Sequence, residues 1–207
     1  MTEIGHVTAG VSGAAQRLLL GAGALSGRGP APVHLWNPAY CGEIDMRIAA
    51  DGTWYYNGSP IGRPAMVRLF ATILRKDPKR YVLVTPVECV GIRVDDAPFV
   101  AVELATEPDP AGERLFMRTN LDEIVEVGVD HPLRFETMAG GGLKPYVRIR
   151  GDLWALASRA LTHELMGRGT VDMAGLDGSI VKVPCFGIRS GITFFPICRA
   201  EEIEAGA

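Results

Sequence analysis

The chain has 207 residues, 47% of them hydrophobic and 22% charged, and carries a formal net charge of −3. A folded body of this size buries about 70% of its unfolded surface, and the composition excludes disordered and fibrous chains. The acidic balance lacks the basic footprint of a nucleic-acid binder, so no nucleic-acid partner is expected.

Residues 1–32 are rich in Gly and Ala, hold one helical run near residues 14–20, and read as an N-terminal arm. The apolar LLLGAGAL run is too short for a membrane span, and Glu3 stands where a secretory leader would be positive. A cytoplasmic protein is therefore expected. The GxG spacing that follows comes after a helix-like segment and not a strand, which removes the context that would make it a dinucleotide loop. Cys41, Cys89, Cys185 and Cys198 show no CxxC spacing, so buried free thiols are expected and no metal or cofactor.

Residues 41–74 predict a hairpin running into a helix. Asp51-Gly52 is a two-residue turn signal. Counting outward from it places Ile48 opposite Tyr55 and Met46 opposite Asn57 on an apolar face, and puts Asp45, Arg47, Trp54 and Tyr56 together on the other. A longer turn would exchange the faces. Two readings of that second face stand open: an Asp45–Arg47 pair capped by aromatics, or a shelf where Arg47 meets an anion and an aromatic ring stacks. Pro64 opens the helix, with Met66, Leu69, Phe70, Ile73 and Leu74 as its apolar stripe, and Asp77-Pro78 is expected to stop it.

Residues 81–85 and 89–94 read as strands, and Asp95-Asp96-Ala97-Pro98 as the boundary between an N-terminal domain at 33–97 and a C-terminal one at 98–207. Beyond it, residues 114–119 alternate, with Leu115, Met117 and Thr119 on one face and Phe116 and Arg118 on the other. Arg118, Asn120 and Asp122 end that strand either as Asx-type turn chemistry or as groups presented to a ligand. His131 and Arg134 follow; His131 is read as solvent-facing or hydrogen-bonded, with no second histidine at metal spacing. The Gly140-Gly141-Gly142 run lacks the ending of a phosphate loop and reads as a connector. Residues 145–150 predict a strand with Val147 and Ile149 inward. Gly151-Asp152 is expected to cap a helix striped by Leu153, Leu156, Ala157, Ala160, Leu161 and Leu165. Residues 179–183 and 192–197 read as strands, and 201–207 as a frayed acidic tail. The recurrence of strands, helix, strands points to an α+β protein of two mainly antiparallel units related by duplication.

The runs HLWNPxxCGEIDMRI, DGTWYYNGSPI, RPAMVRLFATILRKD and YVLVTPVE, continued by DDAPF, MRTN, HPLRF and PYVRIR, resemble an uncharacterised bacterial family known as a domain of unknown function. The resemblance implies a duplicated structural unit, a C-terminal domain superficially like pleckstrin-homology folds, a nucleotide-like ligand between the two domains, and a role in signal transduction. No GxSxG, HExxH or supported Cys–His pair is present. The expectation is thus a non-catalytic protein that binds a small anionic ligand. Its candidate residues are Asp45, Arg47, Trp54, Tyr56, Arg118, Asn120, His131 and Arg134. The alternatives are an adaptor with a signalling protein partner, or an enzyme with a non-local site.

Overall fold

The computed structural model describes residues 30–176 and 179–204, so the helical run expected near residues 14–20 lies outside the described residues. The fold is α+β and divides into two compact units, the first running to Pro98 and taking in Gly151–Leu153, the second holding Phe99–Arg150 and the chain from Trp154.

The first unit opens with a 3₁₀ turn at Val33–Leu35. It continues through β1 (Tyr40–Ile48), β2 (Trp54–Tyr56), β3 (Ser59–Pro60), helix α1 (Pro64–Thr72), β4 (Leu74–Asp77), β5 (Arg80–Val84) and β6 (Cys89–Val94). These strands make one sheet in the order β3-β2-β1-β6-β5-β4. Its neighbours are antiparallel except for the central pair, where β1 runs parallel to β6.

The hairpin register corrects the expectation. Ile48 pairs with Trp54, Arg47 with Tyr55 and Met46 with Tyr56. The cause is the turn: the Ala49 N–H donates to the Thr53 carbonyl and the Gly52 N–H to the Ala49 carbonyl, each at 2.9 Å, so the loop holds three residues, Ala50, Asp51 and Gly52. Gly52 takes φ +82°, the left-handed residue that closes a three-residue hairpin loop. One extra loop residue moves every β2 side chain to the opposite face. Trp54 is therefore buried at 2% exposure, its ring 6.2 Å from that of Phe70 with the planes 11° apart, and Tyr55 takes the face of Arg47. Trp54 and Tyr56 do not share that face.

Helix α1 buries Met66, Val67, Phe70 and Ala71, and ends sooner than its apolar stripe implies. Ile73 turns the chain, and Leu74 pairs with Leu83 as β4 begins. The strand wins because its charges find partners there. Arg75 donates to the Val33 and Trp36 carbonyls at 2.9 and 2.6 Å and pairs with Asp77, while the Lys76 ammonium stands 3.9 Å over the Tyr81 ring. Asp77-Pro78 breaks the chain as expected, but between β4 and β5 rather than after a helix.

The second unit contains β7 (Phe99–Glu107), β8 (Arg114–Thr119), β9 (Ile124–Glu126), β10 (Leu133–Thr137), β11 (Leu143–Arg150) and β12 (Leu153–Ala157). After them come α2 (Arg159–Gly167), β13 (Thr170–Ala174), β14 (Val183–Ser190), β15 (Thr193–Arg199) and α3 (Ala200–Glu204). Its large sheet has the order β10-β11-β12-β7-β8-β9, again with a parallel junction, β12 beside β7. Both sheets are thus two three-stranded meanders joined through their first and last strands, the second repeating the first with an offset of six strands. The duplication is visible in topology where sequence shows little of it.

Residues 153–157 form a strand and not the first turns of a helix. Leu153, Ala155 and Ala157 are buried while Trp154 and Leu156 are less so, a period of two that the helical stripe also accommodates. Helix α2 starts six residues later than expected, where the Ser158 hydroxyl accepts the Leu161 N–H at 3.2 Å as its N-cap. The strand expected over residues 179–183 begins only at Val183, and β13 occupies residues the sequence left unassigned. Residues 200–204 are helical rather than frayed. The small sheet β13-β14-β15 is pinned to the large one by Ser190, whose buried hydroxyl donates to the Val127 carbonyl at 2.7 Å and accepts the Leu115 N–H at 3.0 Å.

Candidate anion-binding site

Arg118 leaves β8 on its outward face, where Glu103 and Asp122 both pair with it, the latter at 3.0 Å, and these carboxylates raise its pKa. Asn120 is a backbone staple: its Oδ1 accepts the Val100 N–H at 3.1 Å and its own N–H donates to the Val100 carbonyl at 2.8 Å. The turn is completed by the Thr119 hydroxyl, which accepts from Leu121 and Glu123, and by Asp122 at φ +67°. The His131 Nδ1 lies 3.0 Å from the Arg148 carbonyl and holds the approach to β10. Arg134 projects from β10 over the Tyr146 and Trp154 rings at 4.8 and 4.6 Å and pairs with Glu136 at 3.1 Å. In the sheet order, three strands separate Arg134 from Arg118. These residues do not form one cluster.

Arg47 sits differently. It stands near the end of β1, with Tyr55 beside it on β2 and Arg93 beside it on β6. Its guanidinium lies 5.7 Å from the Tyr55 ring centre. Nε donates to both oxygens of Asp95 at 2.9 and 3.0 Å, and Nη2 also donates to Asp95. That fork is the geometry by which arginine recognises a two-oxygen anion. The pairing raises the pKa of Arg47, and the hydrogen bond from Arg47 holds the Asp95 carboxyl below the usual carboxylate range. Asp95 follows β6 directly, tied down by its N–H to the Ile48 carbonyl at 3.0 Å. The partner carboxylate is thus Asp95; Asp45 lies exposed on β1.

Arg93 is exposed and has no hydrogen bond or ion pair among the described residues; Asp95 feels its field, which also lowers that carboxyl. Two arginines directly across a strand pair repel each other. The repeated architecture shows that the fold does not require them. At the matching parallel junction of the second unit, the pairs are Ala155 with Phe99, Leu156 with Val100 and Ala157 with Ala101. Upstream on the first unit's shelf, Gly91 is covered so closely that an added Cβ would lie 2.6 Å from the Tyr40 hydroxyl oxygen and 2.9 Å from Glu43 Cγ. Arg80 stacks on that Tyr40 ring at 4.2 Å.

Sequence reading found Arg47 and missed Tyr55, Arg93 and Asp95. A three-residue turn count would have produced Tyr55. The parallel β1–β6 pairing joins residues about fifty positions apart and leaves no local trace, which hides the other two. Of the cysteines, Cys89 and Cys185 are buried, with burial pushing the Cys89 thiol pKa up; Cys41 is exposed, against expectation, and Cys198 is half-buried. Among the described residues, no three His, Cys, Asp or Glu side chains gather as a metal site would need, and no helix is long and apolar enough to cross a membrane.

Comparison with known proteins gives two family matches. The N-terminal domain model of DUF1285, a domain of unknown function, matches residues 31–97, and the C-terminal model of the same family matches residues 98–197. Among solved structures, a DUF1285 family protein from Silicibacter pomeroyi is similar at 47% identity and a TM-score of 0.78, over 90% of this chain and 97% of that one. A second, from Shewanella baltica, has 26% identity and a TM-score of 0.47, over 59% of this chain and 90% of that one. No curated protein matches the chain.

Proposed function

Because the chain belongs to the DUF1285 family, whose description assigns no activity, we propose from its geometry that it is a non-catalytic binding protein for a small anionic, nucleotide-like ligand, serving in bacterial signal transduction. The observation that carries this reading is the Arg47–Arg93 pair: two arginines at paired positions of a strand junction whose duplicate is wholly apolar. Like charges at paired strand positions disfavour each other, and a bound anion offsets that repulsion. Tyr55 supplies an aromatic surface beside it. Recognition is favoured over turnover because the carboxylate in contact with Arg47, that of Asp95, is held in an ion pair and is not free to act as a base.

A thermal-shift screen against nucleotides, cyclic nucleotides and small phosphates tests it, with Arg47→Ala alongside. Ligand at 100 times its Kd stabilises the fold by about 2.7 kcal/mol. A shift in the wild type that Arg47→Ala abolishes supports the reading; no shift across the panel rejects it. A protein-binding adaptor is the second reading. It is favoured by β13, an edge strand that leaves Val171 and Met173 59% and 53% exposed.

A further inference from the structure

Resting on that reading, we infer that the Arg47–Arg93 shelf is matched to a singly charged, two-oxygen anion, a phosphodiester or a carboxylate, and discriminates against doubly charged phosphomonoesters, with Asp95 as the residue that sets the preference. Three observations support this.

The first is the supply of donors. Arg47 commits Nε and Nη2 to Asp95, so its Nη1 edge makes no hydrogen bond among the described residues, and Arg93 keeps its whole fork. An anion with two oxygens held by one carbon or phosphorus can accept from both at once. The second is charge. Arg47, Arg93 and the Asp95 paired with Arg47 by themselves sum to +1, which one negative charge neutralises and two would exceed. Asp95 is ionised at neutral pH, since Arg47 lowers its pKa. The neighbouring carboxylates add to the case against a dianion. Glu43 stands over Gly91, two residues back along β6, and Asp51 in the hairpin loop exerts a weaker pull on Arg47 while accepting the Thr53 N–H at 2.9 Å. The third is a stand-in within the chain itself. The Asp95 carboxylate, a two-oxygen monoanion, already shows how Arg47 grips this class of group.

The test uses matched pairs of probes in NMR titrations of the full chain at about pH 8, where the second phosphate proton, with a pKa near 6, is gone. The pairs are 3′,5′-cyclic AMP against AMP, and acetate against malonate. The monoanion of at least one pair should bind several-fold more tightly than its dianion, and whichever pair shows this identifies the source as diester or carboxylate. Arg93→Gln should weaken the preferred monoanion about tenfold, the scale of a lost charge-assisted hydrogen bond. Asp95→Asn, which raises the local charge to +2, should reverse the preference within the same pair. Dianions binding the wild type as well as monoanions, an affinity indifferent to Arg93→Gln, or an unreversed preference in Asp95→Asn would overturn this inference and leave anion recognition standing. If none of the four probes binds and the thermal-shift screen is also blank, the underlying reading falls with it.

Discussion

Asp95 ties the candidate site to the acid limb of stability. An ordinary aspartate titrates near pH 3.9, and the hydrogen bond from Arg47 places the folded-state value below that. A carboxyl depressed on folding contributes stability above its unfolded pKa and loses it as pH falls through the folded one. Urea midpoints of the wild type and Asp95→Asn should therefore differ most at neutral pH, begin to draw together below about pH 4, and meet only below the depressed folded-state value of Asp95. Parallel curves from pH 7 to pH 3 would mean that the Arg47–Asp95 contact carries no linkage. The same pair shows how far single residues are legible. Arg47 stands out in sequence as a cation among aromatics, whereas its partners Asp95 and Arg93 come from a distant strand and acquire meaning only through a long-range parallel register.

At the scale of elements, the strands of strict alternation were readable because burial on one face imposes a period of two. β8 buries Leu115, Met117 and Thr119, and β11 buries Val147 and Ile149, as their patterns require. Ambiguity entered where two periods fit the same residues. The stripe from Leu153 to Leu165 satisfies a helix, yet Gly151 at φ +48° turns the chain back, residues 153–157 join a sheet, and the helix waits for Ser158. That makes Ser158 the residue that fixes where α2 begins. Ser158→Ala should cost about 1 kcal/mol, read as a lower denaturant midpoint at unchanged m-value. A midpoint equal to the wild type would show that the buried Leu161 and Leu165 define the start without the cap.

For the whole molecule, the α+β class followed from composition and the alternation of strand and helix runs. The doubled sheet topology did not, because hydrogen-bonded order is set by pairings between distant segments. Each unit has its own fully buried residues, Leu83 and Val84 among them in the first, and Phe99, Ala101 and Ala155 in the second. Hydrogen exchange should accordingly reveal two separate sets of slow amides, one in β5 and β6 and one in β7, β8 and β11. Protection confined to a single unit would contradict the presence of two cores.

The three-residue loop of the first hairpin has a consequence for how this protein can change over generations. Substitution at Ala50 leaves the strands where they are, but loss of that one codon would drive Trp54 into the solvent and Tyr55 under the helix, erasing the ring beside Arg47 without altering any residue of the shelf. The length of that loop should be guarded more strictly by selection than its composition, with deletions purged where exchanges are tolerated.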